Sequence, residues 1–173
     1  LLVLAGIMGQ FTYSTTSVAA QNIEESVTEL NLVNNGDFET PNANLQNRNI
    51  WQLNAENNKA EIAVVDSNSF GHIKPGITDA SVLQKIATTP GKTYKFEVKI
   101  KVTANNSLVP AGAYLAAYST NETGEKGDVI NEIDYTDKKY SHFVEQSFEF
   151  TAKTEYSYIG IMKRNNDEIK ERV

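Results

Sequence analysis

The sequence predicts an all-β protein, an antiparallel β-sandwich, and three observations lead there. Residues 92–103 alternate strictly, with Tyr94, Phe96, Val98, Ile100 and Val102 against Lys95, Glu97, Lys99 and Lys101. Alternation with period two places one set on a buried face and the other in water, whereas a helix would scatter both around its axis. Short runs of this kind recur along the chain, separated by turn residues such as Pro90-Gly91, the rhythm of a sandwich or barrel. No segment carries a sustained apolar stripe of helical period.

Taken in order, the candidate strands are residues 31–38, 50–54, 60–66, 81–87, 92–103, 112–119, 143–151 and 156–162. The strongest after 92–103 is 143–151, which sets Val144, Gln146, Phe148 and Phe150 on one face. Residues 129–135 read as a strand or as a single helical turn. The tail 165–173 reads as a turn entering another strand, with Ile169, Glu171 and Val173 on one side. On that reading the final strand is truncated and the parent chain is longer.

The chain has 173 residues, a formal net charge of -6 and no cysteine. Its length suits one core. An acidic balance argues against nucleic acid and anionic membrane surfaces, both of which call for basic patches. Without cysteine there is no disulfide framework, thiolate zinc site or cysteine nucleophile.

Residues 1–20 are uncharged and open on an apolar run, Leu1 to Met8, followed by small and polar residues. Val18 and Ala20 stand at the minus-three and minus-one places of a small-residue cleavage site before Gln21. This is the pattern of a signal peptide lacking its basic n-region; the other reading is a buried N-terminal strand or helix. A signal peptide implies a secreted, cell-wall or cell-surface protein, and the absence of cysteine fits a bacterial one. Residues 21–29 form a polar lead-in, and nothing beyond it is long and apolar enough for membrane insertion.

Asn31-Leu32-Val33-Asn34-Asn35-Gly36-Asp37-Phe38-Glu39, with Trp51 following, resembles the opening strand of carbohydrate-binding modules with the galactose-binding-like jelly-roll fold. The run from Val82-Leu83-Gln84-Lys85-Ile86 to Pro90-Gly91-Lys92-Thr93-Tyr94 is similar to their central strand–turn–strand. Phe148-Glu149-Phe150-Thr151-Ala152 and Tyr158-Ile159-Gly160-Ile161 are similar to their late strands. The resemblance implies that residues 30–173 are one non-catalytic module binding a polysaccharide or glycan, within a multidomain chain. It implies a core role for Trp51. It also implies a structural calcium near the opening strand, with Glu39 and the adjacent Asp37 as carboxylate donors; the alternative is that both merely flank Phe38.

Tyr114 and Tyr118 lie four apart on one candidate strand and so share a face, as do Tyr156 and Tyr158 on another. Side by side they would make an aromatic platform for sugar rings, with Gln84, Asn105 and Asn121 adding polar contacts. The plainer reading is that strands favour tyrosine. Catalysis finds little support. His72 and His142 are the only histidines, no serine sits in a nucleophile elbow, and carboxylate pairs such as Glu145 and Glu149 are expected by number alone. The rival to glycan binding is a structural or adhesive spacer, or the receptor-binding domain of a larger surface protein.

Overall fold

The computed structural model describes residues 2–4, 30–39, 50–53, 60–74, 79–103, 112–136 and 138–164. These residues form ten strands: β1 (Leu2–Leu4), β2 (Trp51–Leu53), β3 (Ala60–Val65), β4 (Asn68–Ile73), β5 (Ala80–Ala87), β6 (Thr93–Val102), β7 (Gly112–Thr120), β8 (Lys126–Asp134), β9 (Val144–Thr151) and β10 (Tyr156–Arg164). They pair antiparallel in two five-stranded sheets, one in the order β3-β4-β1-β6-β9 and the other β2-β5-β10-β7-β8. The expected all-β, antiparallel architecture is therefore what the chain adopts.

One core joins the sheets. Ile73, Phe96, Ile100, Phe148 and Phe150 from the first meet Trp51, Val82, Ile86, Leu115, Ile159 and Ile161 from the second. The alternation read from the sequence does this work: along β6 every second residue from Tyr94 to Val102 is buried. Cross-strand register then stacks aromatic rings. Phe96 lies opposite Phe148 and Tyr94 opposite Phe150, with ring centroids 5.7 Å apart in both pairs. Such pairs contribute about 0.5–1.5 kcal/mol each beyond area burial. Trp51 is fully buried, stacks on Phe38 at 4.7 Å and donates from Nε1 to the Asn35 carbonyl.

One expectation needs correction, one alternative is resolved, and one strand is new. Residues 31–38 are not a strand. Asn35 and Phe38 have φ of 49° and 60°, and the Phe38 N–H bonds back to the Asn35 carbonyl, so Asn35-Gly36 turns the chain where an extended run was expected. Residues 129–135 belong to a strand that starts earlier, at Lys126. The third, β4, was not foreseen at all. It closes a hairpin on β3 through Asp66 and Ser67, whose φ of 50° and 63° suit a tight two-residue turn of the primed type.

Leu2–Leu4, read from the sequence as the start of a secretion signal, takes a place inside the first sheet. Leu2 pairs with both Ile73 and Val102, Val3 with His72 and Lys101, and Leu4 with Ile100. Val18, Ala20, the lead-in 21–29 and the tail 165–173 lie outside the described residues.

Candidate functional site

Pleating sends the side chains opposite to the core into solvent, and on the first sheet these build a groove of about 660 Å3. Glu61 faces His72, Ala63 faces Phe70, and Val65 faces Asn68 across the β3–β4 ladder, so these residues share the outer face. Lys101 joins them because it flanks Val3 in register, as His72 does from the other side. Thr103, Asp66 and Phe143 complete the lining. The volume lies within the range of small-ligand sites.

Phe70 and Phe143 form an aromatic corner, with centroids 5.8 Å apart and planes at 58°. Phe70 also meets the His72 ring edge-on at 6.3 Å. Around this apolar floor the rim is ionic. Glu61 Oε1 lies 2.9 Å from His72 Nδ1, and its Oε2 lies 3.1 Å from Lys74 Nζ. A carboxylate only accepts, so His72 carries a proton on Nδ1; its Nε2 is buried without a hydrogen-bond partner among the described residues. Burial pushes the Glu61 carboxyl up, but the hydrogen bonds from His72 and Lys74 outweigh it and hold the group below its ordinary value.

The tyrosines expected to bind ligand do come together, on the outer face of the second sheet. Tyr158 lies opposite Tyr118, and Tyr114 opposite Met162. Tyr114, Tyr118 and Tyr158 are buried, whereas Tyr156 is 46% exposed. Cations of the same chain lie over their rings: Arg164 at 4.4 Å from Tyr114, Lys126 at 4.6 Å from Tyr118, and Lys85 at 4.8 Å from Tyr156 and 5.8 Å from Tyr158. Arg164 also donates to the Tyr118 hydroxyl and to Glu132. Burial pulls its guanidinium down, but these two partners more than offset that and raise it. Tyr114 is raised by burial and then by Asp134.

Gln84 does not join the tyrosines. It is buried on the inner side, opposite Trp51, where its amide accepts from the Asn34 N–H and donates to the Asn34 carbonyl. Its place there is to tie the opening segment to β5. Asn121 closes the turn after β7 by accepting from the backbones of Thr123 and Glu125, and Asn105 lies outside the described residues.

Asp37 and Glu39 are both exposed. Asp37 accepts from the Glu39 N–H, and Glu39 Oε1 accepts from the Ser69 N–H, which fastens the opening segment to β4. Among the described residues no three His, Asp or Glu side chains gather as metal ligands, and no helix is long and apolar enough to cross a membrane.

Sequence reasoning missed Phe70, His72, Glu61 and Phe143 as a group. The alternation Asn68, Phe70, His72 was the available signal, masked by Gly71 and by the turn-forming residues around it. Compared with protein-family models, with curated proteins and with solved structures, the chain finds no match.

Proposed function

We propose that this chain is a non-catalytic glycan-binding module of a secreted or cell-surface protein, of galactose-binding-like jelly-roll type. The glycan lies in the groove on the outer face of β3, β4 and β6. The observation that carries this reading is the aromatic corner of Phe70 and Phe143 set among Glu61, His72, Asn68 and Lys101. A pyranose has apolar C–H faces and a rim of hydroxyls. The partly exposed Phe143 ring, backed by the buried Phe70 and with convergent polar groups around it, matches both.

The tyrosine face is the less suitable place, because its ring faces already carry Arg164, Lys126 and Lys85. Tyr156 alone is open enough to add a contact at an edge.

A glycan array probed with the whole chain, followed by calorimetry on Phe143→Ala and Phe70→Ala, tests the reading. Saturable binding is expected, weakened about tenfold or more by Phe143→Ala, which corresponds to about 1.4 kcal/mol. An array that stays blank with a correctly folded protein removes the glycan and leaves the spacer as the better account. A structural calcium at Glu39 and Asp37 is part of the same proposal. Added calcium is then expected to raise the melting temperature, with Glu39→Gln abolishing the rise; a melting curve indifferent to calcium and chelator removes the metal.

A further inference from the structure

We infer that the groove selects acidic saccharides, Lys101 receiving the carboxylate of a uronate ring whose apolar face rests on Phe143, which the buried Phe70 backs. This rests on the glycan-binding reading above and adds the class of sugar. The reason lies in the charge pairing along β6, whose outward lysines are Lys95, Lys99 and Lys101. Lys95 pairs with Glu97, and Lys99 with Glu145. Lys101, the one that lines the groove, has no ion pair among the described residues.

The acids of the groove do not cancel it. Both oxygens of Glu61 are engaged, one by His72 and the other by Lys74, so this cluster as a whole is neutral or positive. Asp66 sits in the β3–β4 turn, at the opposite end of β4 from His72. At roughly 3.3 Å per residue that is about 15 Å away, beyond the Debye length of about 8 Å at physiological salt. The groove is therefore polarised: an acid at its turn end, an aromatic corner, and, where Lys101 and His72 flank β1, an ammonium that no described residue pairs. A neutral sugar would leave that ammonium without an anion, while a uronate supplies one in a partly desolvated place, where a charge-assisted hydrogen bond gains most.

The test compares oligogalacturonate and oligomannuronate with their carboxyl-reduced, neutral counterparts, by calorimetry on the whole chain. One or both acidic forms are expected to bind about tenfold tighter than their neutral counterparts, with added salt weakening only the acidic form. Lys101→Met should erase the preference for the acidic over the reduced form, whatever its effect on the neutral form, and Lys101→Arg should retain it. Phe143→Ala should weaken both forms. Equal binding of acidic and reduced forms, or a preference that survives Lys101→Met, overturns the acidic class and leaves glycan binding standing. If neither form binds while neutral glycans on the array do, the acidic class falls in the same way. If no saccharide of any kind binds, the glycan reading itself falls.

Discussion

A tyrosine on a sheet surface is an open ring or a covered one according to which cation lies beside it. Tyr114 is covered because Arg164 reaches across from β10 and is held there by Glu132, while Lys126 covers the Tyr118 ring. Glu132→Ala should therefore cost about 1–3 kcal/mol, the penalty for leaving a buried charged donor without its acceptor, read as a lower denaturation midpoint at unchanged m-value. Tyr135 gives a prediction in pH. Burial, and then the neighbouring Tyr140, push its phenol up from the ordinary value, and its hydroxyl donates to Gln146 Oε1. A group raised in the folded state stabilises fully below the unfolded value of about 10. That contribution is lost as pH rises through the folded value. Thermal stability should thus fall above pH ~10, and Tyr135→Phe should soften the fall while costing about 1 kcal/mol at neutral pH. None of this was readable in the chain: the spacing of Tyr114 and Tyr118 gives a shared face, but says nothing of Arg164, 46 residues from Tyr118.

Strands differ in how plainly they are written. β6 and β9 alternate apolar with polar residues, β10 is a mostly apolar run, and the chain forms all three within a residue or two of the expected bounds. β4 is written as Asn-Ser-Phe-Gly-His-Ile, three of whose residues disfavour strands or mark turns. It exists because β3 and β1 pair with its two edges. The opening segment fails in the other direction. Leu32 and Val33 promise a strand, but Asn35-Gly36 turns the chain and Gln84 takes the Asn34 backbone groups that a ladder would use. In β10, Gly160 has φ of 148°, and a Cβ there would come within 2.1 Å of the Val82 carbonyl oxygen. Gly160→Ala combines backbone strain with a clash against a neighbouring strand. It should destabilise by more than about 3 kcal/mol, seen as a large drop in melting temperature or as insoluble protein.

At the level of the whole molecule, the first sheet depends on a very short piece of chain. Leu2–Leu4 supplies three residues between β4 with six and β6 with ten. Removing residues 1–20 would open two strand edges facing one another, and open edges promote association. A chain beginning at Gln21 should accordingly melt at a lower temperature and scatter more light than the full chain. If N-terminal sequencing of the protein from culture supernatant gives Gln21, the secretion reading holds and the slot between β4 and β6 stands open in the mature form. The groove formed where Lys101 and His72 flank Leu2–Leu4 then belongs to the uncleaved chain alone.

By itself the sequence determined the class of the fold and the composition of its core, because period-two alternation follows from strand geometry and needs no partner to be seen. It equally excluded thiol chemistry, because the chain has no cysteine. Only the tertiary structure decided which side chains meet on each outer face. Phe70 and Phe143 meet, Lys101 has no ion pair among the described residues, and Arg164 covers Tyr114 through pairings between residues tens of positions apart. Such pairings are set by register between strands, and no local pattern in the chain encodes that register.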